Sequence, residues 1–169
     1  MAAKKFLRLI AGIVTEISGV VTSAGAANDG DVPVLDATGR LDASLMPVGI
    51  SADTYTANTS EAVAAGAFIY ITAAGLVANA SAASGGNAAR GFVLAASASG
   101  APATVFFEGR NTQLTGLTVG GRYYLSDSVA GGVTLTSVSG AGKKCQFLGY
   151  AVSATSLDSE IDDYVVMAA

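Results

Sequence analysis

Turn-forming residues recur at short intervals through the C-terminal two thirds of the chain and leave only short segments between them. These turn signals combine Gly with Ser, Ala or a second Gly, and they lie at 74–75, 84–86, 99–102, 119–121, 130–132 and 139–142. No window between them keeps an apolar period of 3.6 residues over three turns, so long amphipathic helices are not expected. Short segments bounded by turn signals are typical of all-β sandwiches and small barrels.

Eight segments between these turns are predicted to be strands, because most are rich in β-branched and aromatic residues. They are 67–72, 76–80, 91–96, 103–108, 122–126, 132–136, 146–152 and 164–167. We therefore expect residues 51–169 to form an all-β body, a small and jelly-roll-like sandwich or barrel. The Ala-rich stretches also suit helices, but the Gly and Ser that flank them favour extended structure.

The first 50 residues are expected to form an arm with a β-hairpin. The run KFLRLIAGIVTEI at 5–17 has two apolar segments separated by Ala11-Gly12, where Gly allows the positive φ of a tight turn. Alternation places Phe6 and Arg8 on one face and Leu7 and Leu9 on the other. An isolated hairpin is only marginally stable, so this one must lie against the body or another chain.

A run of small residues at 23–31 is expected to act as a linker to a compact knob at 32–50. In the knob, residues 36–39 have the Asp-first, Gly-last spacing of a type I turn. Asp42 can cap a short helical turn that Pro47 ends. The knob is expected either to pack on its own body or to attach another subunit. The candidate contact residues of the arm are Phe6, Leu7, Leu9, Ile10, Leu35, Leu41, Leu45 and Met46.

Residue types argue against an enzyme. The chain has no His, which removes the commonest general base and the commonest metal ligand. No phosphate-binding loop and no G-x-S-x-G motif occur, and the acids at 158–163 do not have EF-hand spacing. A glycosidase or esterase is therefore disfavoured, and no catalytic, cofactor or metal site is expected. The single Cys145 is expected to be a half-buried strand residue.

Charge and hydropathy limit the possible partners. The formal net charge is −4, without the basic face that a duplex-binding domain needs, so nucleic-acid binding is not expected. The N-terminal apolar run is interrupted by Arg8, which disfavours a secretory signal. Residues 62–89 contain no charged residue and are long enough to span a membrane. Several Gly and Asn residues interrupt this segment, however, which argues against a membrane span. We expect a soluble protein.

Three passages resemble the capsid cement (decoration) proteins of tailed bacteriophages and related head and tail fibre proteins. They are KFLRLIAGIVTEISGV, SAGAANDGDVPVLDATGRLDASLMPVGI and GFVLAASASGAPATVFFEGRNTQLTGLTVGGRYYLS, and the similarity is densest at 34–50 and 116–126. The resemblance implies a β-rich body, often arranged as a homotrimer on the outer head surface. It also implies that the N-terminal region binds the major capsid protein or neighbouring subunits, and that the protein is made in the host cytoplasm. The family carries no catalytic residues.

A fibre module that binds a host receptor or glycan is the alternative. Tyr123 and Tyr124 suggest a sugar-stacking platform on an exposed β scaffold. Adjacent strand residues point to opposite faces, so at most one of these rings can lie on such a platform.

Overall fold

The computed structural model describes residues 5–46 and 53–168. The chain divides into two compact units, Met1–Ser51 and Ala52–Ala169. Among the described residues there is no α-helix, and the named strands all pair antiparallel. The protein is therefore all-β with an N-terminal hairpin, as predicted.

The hairpin consists of β1 (Lys5–Ile10) and β2 (Ile13–Ser18). The register joins Lys5 to Ser18 and Ile10 to Ile13, which leaves a two-residue turn. In that turn Ala11 has φ 50° and Gly12 has φ 85°. Two consecutive positive φ angles are those of a type I′ turn, whose twist matches the twist of paired strands. The predicted hairpin and its turn are confirmed.

The segment predicted to be a linker is instead a loop closed by hydrogen bonds. A 3₁₀ helix at Gly25–Asn28 lies inside it. The Asn28 side chain accepts a hydrogen bond from the Ala24 N–H at 2.6 Å and donates one to the Asp31 carboxylate at 2.9 Å. The flanking residues Val20 and Pro33 form a parallel bridge. The prediction was wrong because composition alone does not reveal that short polar side chains satisfy the backbone of their own loop.

Residues 53–168, the described part of the body, form eleven strands in two sheets. They are β3 (Thr54–Asn58), β4 (Phe68–Ile71), β5 (Val77–Asn79), β6 (Gly91–Val93), β7 (Pro102–Phe106), β8 (Gly109–Asn111), β9 (Arg122–Leu125), β10 (Val133–Thr134), β11 (Lys144–Ser153), β12 (Ser156–Ser159) and β13 (Tyr164–Val166). One sheet has the order β3-β7-β6-β4-β5. The other has the order β10-β9-β11-β12-β8, and β13 pairs with β11. Eight of these strands overlap the predicted segments, with β7 beginning one residue early and β11 extending past both predicted ends, whereas β3, β8 and β12 were not predicted.

One hydrophobic cluster is shared by the two sheets and makes the body a sandwich. Phe68 and Phe92 from one sheet and Leu125 and Leu148 from the other lie in it, all fully buried. Side chains of adjacent strand residues point to opposite faces of the five-stranded sheet. On the face away from the first cluster, Ile69, Val77, Val93 and Val105 form a second cluster. Strands β4, β5 and β6 of this sheet are therefore buried on both faces, whereas β3 is largely exposed. The sheets are not closed into a barrel, so the barrel alternative is excluded.

Candidate binding surface

The outer face of the hairpin is apolar and unusually exposed. The pairing of Leu9 with Val14 and of Leu7 with Glu16 places Leu7, Leu9 and Val14 on this face. Their exposed fractions are 75%, 67% and 66%. At the strand ends the face is bordered by an ion pair between Lys5 and Glu16. The hairpin therefore presents an apolar strip with no covering group among the described residues of its own unit.

The opposite face of the hairpin contacts the rest of the unit at Phe6 and Arg8. The Arg8 guanidinium donates to the Gly30 carbonyl oxygen at 3.0 Å. A Cβ built on Gly19 would overlap the Val34 side chain and would lie 3.0 Å from the Phe6 ring, which shows how closely these residues approach. Val34 is the one buried hydrophobic side chain among residues 5–46. The opposite face therefore contacts its unit at Phe6 and Arg8, while Ile10 and Ile13 on that face are 44% and 70% exposed, and the outer face remains free.

Two aspartates hold the knob in its conformation. The Asp36 carboxylate accepts hydrogen bonds from the Thr38 N–H, the Thr38 hydroxyl and the Arg40 N–H at 2.7–3.0 Å. The Asp42 carboxylate caps a 3₁₀ helix at Ala43–Leu45 by accepting from the Ser44 N–H at 2.9 Å. Hydrogen bonds to the charged form lower the pKa of both carboxyls below 3.8, chiefly from the Arg40 N–H at Asp36 and the Ser44 hydroxyl at Asp42. The predicted turn at 36–39 and the cap at Asp42 are confirmed, whereas Pro47, predicted to end the helical turn, and the rest of the knob to residue 50 lie outside the described residues.

The loop and the knob are joined through Ser44. The Ser23 N–H donates to the Ser44 hydroxyl oxygen at 2.8 Å. Since Ser44 also contacts Asp42, the cap of the short helix fixes the loop that precedes the knob. This contact gives residues 23–46 a defined conformation without a hydrophobic core.

The eight predicted contact residues lie mostly on the surface of the N-terminal unit. Seven are exposed and Leu45 is half-buried. The structure brings Leu7 and Leu9 together on the outer hairpin face. It places Phe6 and Ile10 on the opposite hairpin face. Leu35, Leu41, Leu45 and Met46 lie in the knob.

Sequence analysis missed Ile13 and Val14, which are as exposed as the leucines of β1. Their signal was available, because a two-residue turn at 11–12 fixes the register. That register places Val14 opposite Leu9.

The other sequence candidates lie in the body and form no comparable surface. Tyr123 is 5% exposed, and its hydroxyl accepts a hydrogen bond from the Thr118 N–H at 2.8 Å, so it is a core residue. Tyr124 lies on the opposite face and packs edge-on against Phe147 at 5.9 Å between ring centroids. The two tyrosines therefore do not form a platform together. Cys145 is half-buried in β11.

A concavity of about 500 Å³ in the body is lined by three acids near the C-terminus, Asp158, Glu160 and Asp162, and by Glu108. Within residues 5–46 and 53–168, no group of three or more His, Cys, Asp or Glu side chains is arranged to hold a metal ion. None of the helices in the described parts of the chain has the length and apolar character needed to cross a membrane.

Comparison of the chain with known proteins gives no match to a protein-family model and no match to a curated protein.

Proposed function

We propose that this chain is a virion structural protein that binds the outer surface of a bacteriophage capsid and stabilises the shell by bridging major capsid subunits. In this proposal the N-terminal unit attaches to the capsid, and three copies associate as a homotrimer. The support is the resemblance of residues 34–50 and 116–126 to phage decoration and fibre proteins, together with the exposed apolar strip of the hairpin.

One observation carries the proposal: the described part of the N-terminal unit buries a single hydrophobic side chain and exposes many. Val34 is 9% exposed, whereas the exposed large side chains are Phe6, Leu7, Leu9, Ile10, Ile13, Val14, Val21, Leu35, Leu41 and Met46. A two-stranded hairpin without a covering layer is marginal in water. Burial of a Leu or Val side chain contributes about 1.5–3 kcal/mol. Contact with another surface would therefore stabilise both the hairpin and the assembly.

The proposed mechanism is mechanical. A protein that binds the intact shell, and not its separated subunits, stabilises the shell by mass action. Each attached copy adds buried area that must be lost before neighbouring capsid subunits separate. No substrate is transformed.

Attachment through the hairpin is tested with Leu9→Asp and a matched control, Val119→Asp. Val119 lies in the body and is 65% exposed, close to the 67% of Leu9. A charge placed in a buried interface without a partner is costly. We expect Leu9→Asp to abolish co-sedimentation with expanded phage heads, while Val119→Asp binds like the unchanged protein. Equal binding by both variants would defeat the assignment of the hairpin.

The number of copies per virion separates decoration from the fibre alternative. Quantitative mass spectrometry of purified virions should find hundreds of copies of this chain if it coats the shell. A handful of copies would instead support a fibre module that binds a host receptor or glycan.

A further inference from the structure

A small cavity on the body collects positively charged and aromatic side chains. Its volume is about 270 Å³, and it is lined by Tyr70, Ile71, Asn87, Ala88, Arg90, Lys144 and Tyr164. None of these residues is acidic, although residues 52–169 contain eight acids and five basic residues. Two of the five basic side chains of a net-negative body therefore meet at one concave site.

Hydrogen-bond donors dominate this cavity. Neither Arg90 nor Lys144 forms an ion pair with any residue in the described parts of the chain. Lys144 donates to the Gly86 carbonyl oxygen, and its ammonium lies 5.5 Å from the centre of the Tyr164 ring. The Arg90 guanidinium, the Asn87 amide and the hydroxyl of Tyr70 add further donors. A cavity with these groups and no carboxylate suits an anionic ligand.

A buried network holds the walls of the cavity in place. Gln146, which is 2% exposed, accepts from the Ala89 N–H at 2.7 Å and donates to the Ala89 carbonyl oxygen at 3.0 Å and to the Asp162 carbonyl oxygen at 2.9 Å. The Arg90 N–H donates to the Ile69 carbonyl oxygen at 2.8 Å. β13 pairs with β11 directly beside this point. The backbone segments that carry Arg90 and Tyr164 are therefore fixed, which lowers the entropic cost of binding.

We propose that this cavity binds an acidic saccharide, a sugar ring that carries a carboxylate. The guanidinium of Arg90 matches a carboxylate in bidentate geometry. Tyr70 and Tyr164 offer aromatic surface to the ring, and Asn87 offers an amide to its hydroxyls. The small volume fits one compact unit better than an extended acidic peptide, which needs a groove or a sheet edge. The proposal goes beyond capsid attachment and does not depend on the N-terminal unit.

Titration of the isotopically labelled protein with glucuronic acid, followed by NMR, tests this site. Glucose probes the need for the carboxylate, and acetate probes the need for the ring. We expect saturable binding of glucuronic acid with chemical-shift changes at Asn87, Arg90 and Tyr164, and much weaker binding of glucose and acetate.

Variants make the test specific to the cavity. Arg90→Gln should weaken glucuronic acid binding at least about tenfold, because a charge-assisted hydrogen bond is lost. The matched control Arg110→Gln, at an exposed arginine in β8 outside the cavity, should leave the affinity within about twofold. Tyr164→Leu should weaken glucuronic acid more than acetate, because only the sugar uses the ring. Binding of Arg90→Gln to phage heads should be unchanged, which separates this proposal from the attachment proposal.

Several outcomes would overturn the saccharide proposal. They are no saturation at millimolar glucuronic acid, shift changes outside the cavity, equal loss in Arg90→Gln and Arg110→Gln, and glucose binding as tightly as glucuronic acid. Acetate binding as tightly would mean an adventitious ion only. Tighter binding of a glutamate-rich peptide would identify a protein segment as the ligand instead.

Discussion

Replacement of Gln146 tests most directly whether buried side-chain hydrogen bonds stabilise the body. Its side chain is 2% exposed and makes three hydrogen bonds, two of them to the backbone of Ala89, which is 1% exposed. Gln146→Met keeps nearly the same volume and shape but removes the amide. The substitution therefore isolates the hydrogen bonds from the packing.

The expected loss follows from the groups left without a partner. In Gln146→Met the N–H and the carbonyl of Ala89 stay buried and unpaired, whereas the carbonyl of the exposed Asp162 can bond to water. Each buried unsatisfied group costs about 1–3 kcal/mol, so the free energy of unfolding should fall by about 2–6 kcal/mol. Chemical denaturation followed by far-UV circular dichroism measures this change, because the chain has no Trp to report by fluorescence.

Gln146→Glu adds a second, pH-dependent readout. The carboxylate still accepts from the Ala89 N–H, but it cannot donate to either carbonyl, and burial disfavours its charge. Burial raises the pKa of such a carboxyl in the folded state. The folded variant should therefore gain stability relative to the unfolded chain as the pH falls toward the ordinary pKa of Glu, and lose stability as the pH rises.

The matched control is Gln113→Met, because Gln113 is exposed and its amide makes only a 3.5 Å contact with Thr112. Its free energy of unfolding should change by less than about 0.5 kcal/mol. If Gln146→Met is as stable as this control, the buried network does not hold segment 86–90 against β11, and the reasoning fails.

Two further predictions concern a bulge in β11 and the knob. Gly149→Ala should lower the free energy of unfolding by about 3 kcal/mol or more, because its Cβ would overlap the Asp158 carbonyl oxygen and φ is 144°. Gly116→Ala, at φ 70° with open space, should cost only about 1–2 kcal/mol, and equal losses in chemical denaturation would contradict the clash. The lowered pKa of Asp42 stabilises the knob above pH 3.8, and this contribution is lost as the pH falls through the folded-state pKa. In an NMR acid titration the Ser44 amide should follow a midpoint below 3.8, and a midpoint at or above that value would refute the cap as the cause.

Local patterns predicted the elements whose cause is local. The tight turn at Ala11-Gly12 and the cap at Asp42 depend on residues close in sequence, and both are confirmed. Strands rich in large apolar residues, such as β4, were predicted for the same reason. In contrast, β3, β8 and β12 have polar or weakly apolar sequences, and pairing with neighbouring strands makes them extended.

The candidate sites divide in the same way. Alternation along β1 predicted that Leu7 and Leu9 share a face, but only the packing of Val34 beside Gly19 decides that the other face contacts its own unit at Phe6. The cationic cavity was not predictable, since Tyr70, Arg90, Lys144 and Tyr164 come from four distant segments.

Residue order by itself determined the all-β class, the hairpin with its turn, and the lack of histidine chemistry, because strand propensity, turn geometry and residue type act over a few neighbouring positions. Tertiary structure alone decided which hairpin face is free, the choice of sandwich over barrel, and the meeting of Arg90 with Lys144. These features depend on contacts between residues far apart in the chain, and such contacts form only when burial of the core brings distant strands together.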